Sequence, residues 1–189
     1  MKTRLFLIVL FITVLLYAVT VCSFAETKNF SSDKEEMISQ LREDMVDRKT
    51  KITLYYKSTE ALTGDDVKEW MDEAFAETGE PDEGDYLRWN YRKSSISISS
   101  KTNRYREKEN TITYRITYYT TAEQEEYVTR RCSKILQDLG VSSELTDYET
   151  ATRIYNYICD HVDYDYSTKS LLRYSAYGAL YNGEAVCLG

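Results

Sequence analysis

Four cysteines and a single histidine are the residues of this chain with the chemistry of a thiol nucleophile or a neutral-pH proton carrier. Cys187 has the most suggestive setting. Asn182-Gly183 supplies a tight turn, and Glu184-Ala185-Val186-Cys187-Leu188-Gly189 follows it, so that Cys187 stands where a helix can begin. Unpaired N–H groups and the positive end of the dipole at a helix start stabilise a thiolate, which turns cysteine into a nucleophile. The same residues also describe an ordinary cysteine beside a glycine turn, and spacing alone leaves both readings open. Cys132 and Cys159 fall on or beside apolar stripes of predicted helices, where cysteine acts as a small buried hydrophobe. His161 lies in the last turn of a predicted helix, flanked by Asp160 and Asp163. An imidazolium suits that end of a helix dipole, and no spacing brings a nucleophile to it. Asp163 and Asp165 alternate with Tyr164 and Tyr166, a pattern read as a solvated aromatic turn rather than a carboxylate pair or cation site.

Composition narrows the partners. The chain has 189 residues, with 24 Lys and Arg against 31 Asp and Glu, a formal charge of -7. Such a balance gives no electrostatic reason to approach phosphates, so nucleic acid is not an expected partner. No CxxC pair is present, and Cys132, Cys159 and Cys187 are too widely spaced for a zinc or haem motif with one histidine. Dinucleotide fingerprint and P-loop are also missing from the sequence, so no metal and no cofactor is expected.

The N-terminus has the order of a secretory signal. Lys2 and Arg4 precede an uncharged run over residues 5–21, and Ser23-Phe24-Ala25 offers small residues at a cleavage site. Residues 1–25 are therefore read as a signal peptide, the mature chain beginning at Glu26 in a secreted or cell-surface location. The alternative is an uncleaved membrane anchor, because 17 apolar residues reach the lower edge of a bilayer span. Membrane association is expected only through that segment. A lipoprotein reading of Cys22 is disfavoured by Val21 before it. Cleavage would remove two basic residues and no acid, taking the formal charge to -9. It would also leave three cysteines, so that any one bridge leaves an odd thiol.

Periodicity organises the remainder. A capping box at Ser32-Asp33-Lys34-Glu35 and the spacing of Met37, Ile38, Leu41 and Met45 predict a helix to about Arg48. A strand follows over 51–58. Thr63-Gly64-Asp65-Asp66 caps a second helix with Val67, Trp70, Met71, Ala74 and Phe75 on one face, ended by Gly79 and Pro81. Alternation predicts strands at 86–91 (Leu87, Trp89, Tyr91), around Ile96 and Ile98, and at Ile112, Tyr114, Ile116 and Tyr118, with 102–110 as a loop. Thr121-Ala122-Glu123-Gln124 opens a helix closed by Gly140, Thr146-Asp147-Tyr148-Glu149 opens another, and a shorter helical stretch covers 171–180. The expected fold class is α+β: an N-terminal helix plus a β-α-β-β antiparallel unit of three or four strands over residues 26–120, its helices on one face, then a helical region over 121–189.

Residues 146–189 resemble the beginning of the bacterial transglutaminase-like domain. The resemblance is carried by Tyr155-Asn156-Tyr157-Ile158, Tyr164-Asp165-Tyr166, Ser175-Ala176-Tyr177-Gly178-Ala179-Leu180 and Gly183-Glu184-Ala185-Val186-Cys187. It implies a papain-like fold in which a Gly-x-x-x-Cys element places the nucleophile, here Cys187, at a helix start packed on a sheet. That sheet carries a His and then an Asp, both after the cysteine. Here the chain stops two residues beyond Cys187, and His161 precedes it, matching the pre-cysteine helix rather than the base. The resemblance therefore implies the N-terminal half of a secreted thiol acyltransferase or peptidase, a truncated domain that acts on Gln or peptide acyl groups through a thioester. A protein or peptide substrate would require completion by a C-terminal half, and the chain alone is expected to be inactive. The alternative is a non-catalytic secreted or surface binding module, in which the 18 tyrosines and Trp89 form a contact face on the sheet.

Overall fold

The computed structural model describes residues 28–167 and 169–189, and the expected signal segment lies outside them. The fold is α+β, built on one antiparallel sheet of three strands. Helix α1 (Lys34–Val46) starts one residue later than expected: Asp33, not Ser32, is the cap, its carboxylate accepting the N–H of Glu36 at 3.2 Å. Strand β1 (Lys51–Ser58) leads to helix α2 (Gly64–Ala74). There the Thr63 hydroxyl accepts the Asp66 N–H at 3.2 Å and the Asp66 carboxylate accepts the Thr63 N–H at 2.6 Å. The Arg42 side chain reaches across from α1 and donates to the carbonyls of Ala74 (2.9 Å) and Glu73 (3.2 Å), satisfying orphan acceptors at the end of α2.

The segment expected as a strand over 86–91 is instead a short helix, α3 (Gly84–Asn90). Gly84 enters it with φ of +57°, and the Asp85 N–H is taken by the Glu77 carboxylate at 2.9 Å. Leu87 and Asn90, one turn apart, are buried, whereas Trp89, which alternation placed inside, is 57% exposed.

Strand β2 (Tyr91–Thr102) and strand β3 (Lys108–Tyr118) form a hairpin. Its loop is only residues 103–107, tightened by the Asn103 side-chain oxygen, which accepts the N–H groups of Tyr105 (2.9 Å) and Glu107 (3.0 Å). The sheet order is β1-β3-β2. Leu54, Ile112 and Ile98 stand abreast, as do Ile52, Tyr114 and Ile96. Period-two geometry puts these side chains on one face, and the stripes of α1 and α2 complete a core that includes Leu41, Met45, Val67 and Trp70. Deep in it, the Tyr114 hydroxyl donates to the Val67 carbonyl at 2.8 Å, and burial pushes its phenol well above the ordinary range.

Helix α4 (Ala122–Asp138) and helix α5 (Asp147–His161) both begin with the expected boxes, Thr121 with Gln124 and Thr146 with Glu149. Gly140 follows α4 with φ of +62°. Packing is thinner here: α4 buries Val128 and Ile135, and α5 buries no residue. The stretch expected as one helix over 171–180 divides into a 3-10 turn (Leu171–Tyr174) and a π-helical turn (Gly178–Asn182). Two short strands, β4 (Asp163–Tyr164) and β5 (Glu184–Ala185), pair in parallel. Among the described residues no helix is long and apolar enough to cross a membrane.

Candidate functional site

Cys187 is placed by a small framework of backbone bonds. The Asp163 N–H donates to the Gly183 carbonyl and the Asp165 N–H to the Ala185 carbonyl, each at 2.8 Å, and the Val186 N–H donates to the Arg173 carbonyl at 3.0 Å. The chain is thus clasped between β4 and the 3-10 turn. Ala185 and Val186 are buried, and the next side chain, Cys187, emerges to solvent. A turn closes behind it through the Gly189 N–H and the Val186 carbonyl at 2.9 Å. Cys187 lies in this turn and not at a helix start.

The turns beneath the cysteine explain two residues of the Ser175–Leu180 motif. The Ser175 side chain is buried, donating to the Leu172 carbonyl at 2.6 Å and accepting the Gly178 N–H at 3.3 Å. At Gly178 a Cβ would collide with the Leu172 carbonyl oxygen, so the position admits only glycine without a shift of backbone. Gly183 ends the π-helical turn with φ of +70° and turns the chain into β5.

Asp165 differs from the solvated carboxylate expected. Pairing of β4 with β5 buries the residue, and its carboxylate accepts the Ser167 N–H at 2.6 Å. Hydrogen bonds from Ser167, through side chain and backbone, with the nearby Arg173 charge, hold Asp165 below the usual carboxylate range. Arg173 also donates to the Asp165 carbonyl at 3.3 Å and to the Tyr174 hydroxyl at 2.9 Å. Nothing in the sequence marks Arg173 beyond its place in the turn between the two motifs.

His161 is exposed at the end of α5, as its position in the sequence suggested. Its Nδ1 lies 2.8 Å from the Tyr157 carbonyl oxygen. Since a carbonyl only accepts, Nδ1 carries the proton in this contact. The ring stacks on Tyr157 at 4.1 Å, and the Tyr157 hydroxyl accepts from Arg131 at 3.0 Å. These side chains line a cleft of about 270 Å³ with Tyr181, Asn182 and Gly183. Cys187 is not among its lining residues, and no hydrogen bond joins Cys187 to His161. The structure brings His161 to the start of the cysteine-bearing segment without making it that thiol's base.

The other two thiols depart from expectation, since Cys132 and Cys159 are exposed and no disulfide joins Cys132, Cys159 or Cys187. Apolar stripes on α4 and α5 mark them as core, but the α5 stripe is largely uncovered and the α4 stripe is covered only in part, around Val128 and Ile135. Protein packed on one side of Cys132 still pushes its thiol up from the ordinary value. On the open side of the sheet β1 carries Tyr55, whose ring lies 5.4 Å from that of Phe30. Tyr56, Tyr91, Tyr114 and Tyr118 belong to the core side, and Trp89 sits on α3 rather than a strand. Tyr127, Tyr177 and Tyr181 instead pack together at 4.9 to 5.4 Å, joining α4 to the π-helical turn. Among the described residues no three His, Cys, Asp or Glu side chains converge as a metal site requires.

No family model, no curated protein and no solved structure matches the chain. The likeness to a transglutaminase-like beginning accordingly rests on its own motifs.

Proposed function

We propose that the chain carries the nucleophile-bearing part of a secreted thiol acyltransferase or peptidase, with Cys187 as nucleophile. The observation that supports this best is the contrast along one short segment: Ala185 and Val186 are buried and hydrogen-bonded in place, while Cys187 directly after them is presented to solvent. A side chain held at a fixed point by a braced backbone, yet open to a substrate, is what an attacking thiol needs.

The chemistry would be acyl transfer on a Gln carboxamide or a peptide carbonyl. The thiolate attacks the carbonyl carbon, forming a C–S bond and a tetrahedral oxyanion. The C–N bond then breaks as nitrogen takes up a proton and leaves as ammonia or amine. Water or a second amine attacks the thioester, forms the new C–O or C–N bond and returns the thiol. Both stages need a proton carrier. His161 is not positioned for that role, and the resembled family uses a His and an Asp that follow the cysteine. The reading therefore assigns at most thiol acylation to the 189 residues alone, without turnover, since loss of a triad's base removes several orders of magnitude of rate.

The test is a Gln-containing peptide incubated with purified chain, following ammonia release and covalent adducts by mass spectrometry, with Cys187→Ala and His161→Ala alongside. Adduct formation with an activated acyl ester at Cys187, no steady release of ammonia and no effect of His161→Ala is the expected result. Turnover abolished by both substitutions would overturn it and make His161 a true base. An unmodified Cys187 beside acylated Cys132 and Cys159 would also overturn it.

A further inference from the structure

The sheet has an open edge with an unusual charge. In the order β1-β3-β2, strand β2 has a partner on one side only, and no backbone group of Tyr91–Thr102 bonds to anything outside the sheet among the described residues. Every second residue thus presents an unpaired N–H and C=O outward over a strand of 12 residues. Beside this edge lies a cleft of about 400 Å³ between β2 and α2, floored by Val67, Met71, Tyr91, Ile96 and Ile98, with Lys68 and Asp72 of α2 also on its lining. The hairpin from Arg92 to Lys108 carries Arg92, Lys93, Lys101, Arg104, Arg106 and Lys108 against one acid, Glu107, in a chain whose formal charge is -7. None of those six forms an ion pair among the described residues.

We infer that the β2 edge, with the cleft against α2, is a docking site for an extended acidic peptide that adds as a fourth strand. Main-chain groups of the peptide would pair with β2, its alternate apolar side chains would enter the cleft over Ile96 and Ile98, and its carboxylates would meet Arg92, Lys93 and Lys101. Charge complementarity selects this occupant over a second copy of the chain. An antiparallel β2–β2 pair centred on Ser97 sets Lys93 opposite Lys101 twice, and a parallel pair stacks the same lysines, so both juxtapose like charges. The apolar cleft and the unsatisfied strand edge favour a peptide over a nucleic acid strand, which would draw on the charges alone. This site is separate from Cys187, and its standing does not depend on the thiol chemistry.

The test uses the purified full chain and a fluorescein-labelled peptide of about nine residues alternating Val with Glu, read by fluorescence anisotropy at low salt. A second peptide with alternate backbone nitrogens methylated keeps charge and side chains but cannot bond to a strand edge, and it leaves the protein untouched. Saturable binding, weakened about ten-fold or more by N-methylation and similarly by Lys93→Glu with Lys101→Glu, is the expected result. Amide exchange should slow on binding within 91–102. Equal binding of the methylated peptide, or no binding at millimolar concentration, would overturn the proposal. Displacement by an equal concentration of single-stranded DNA would overturn it in favour of a nucleic-acid surface. A dimer in sedimentation that already protects 91–102 without peptide would overturn it in favour of a second copy.

Discussion

The Arg48 guanidinium and the Glu125 carboxylate form an ion pair at 3.2 Å with both side chains almost wholly out of water, 4% and 16% exposed. Arg48 follows α1 in the left-handed region, with φ of +58°, and Glu125 lies in the first turn of α4. The same carboxylate accepts the Tyr86 hydroxyl at 2.6 Å, the Asn90 amide at 3.1 Å and the Thr120 hydroxyl. Burial and the Glu125 charge together drive the Tyr86 phenol far above its usual range, so it stays a donor. The junction between the sheet unit and the later helices is therefore a shared buried charge, not only a change of periodicity.

Removing one partner of that pair leaves the other stranded. Glu125→Ala should lower unfolding free energy by about 3 kcal/mol, while Arg48→Met combined with Glu125→Leu should recover much of the loss. Urea denaturation followed by circular dichroism measures both. A loss below about 0.5 kcal/mol for Glu125→Ala would show the junction to be loosely held.

Gly178 is irreplaceable for a local reason. Gly178→Ala drives a methyl into the Leu172 carbonyl and should cost about 1 to 3 kcal/mol, with lost exchange protection at the Val186 N–H. Gly64→Ala is the control: at the first position of α2 nothing lies within 4 Å of the added carbon, and helix propensity makes it neutral or slightly stabilising. Equal effects of the two substitutions would contradict the steric account.

Acid should loosen the cysteine-bearing segment first. Asp165 has a folded pKa below its unfolded value, so its contribution is fully present above the ordinary carboxylate pKa of about 4 and is lost as pH falls through the lower folded value. Protection factors for the Asp165 and Val186 amides, measured by NMR, should fall below about pH 4, and Asp165→Asn should flatten that dependence. The carboxylates of Asp66 and Glu149 are likewise held low by the N–H and hydroxyl groups of Thr63 and Thr146. Helices α2 and α5 should weaken in the same direction.

The three thiols should separate in alkylation. Burial on one side disfavours the Cys132 thiolate, so iodoacetamide at neutral pH should modify Cys132 more slowly than a free thiol, with a steep gain toward pH 9. Peptide mapping over time reads this directly. Modification of Cys132 at the rate of free cysteine would contradict it.

Export, if the N-terminus is a cleaved signal, has a simple readout. N-terminal sequencing of material from the medium should begin at Glu26, whereas a membrane-bound chain starting at Met1 would establish the anchor.

What the sequence made legible was local. Capping boxes at Thr63, Thr121 and Thr146 involve residues three apart, and each is present. The run 86–91 misled because Leu87 and Tyr91 are four apart, which satisfies both an even strand spacing and one helical turn. Trp89 and Asn90 distinguish the two periods: the first points to water and the second is buried. The stripes of α4 and α5 were also visible, but a stripe does not say whether anything covers it, so the exposure of Cys132 and Cys159 was not legible. Burial of Asp165 depends on β5, some twenty residues away, and no local pattern announces such a partner.

The central position of β3 bears on how the chain acquires its structure during synthesis. Lys51 pairs with Arg115, about sixty residues later, while β2 reaches β3 through a five-residue loop. As the polypeptide emerges from its N-terminus, α1, β1 and α2 must wait with Ile52 and Leu54 uncovered until the hairpin has appeared. Pauses placed before residue 118 should leave a nascent chain that recruits holdase chaperones, and pauses placed after it should not.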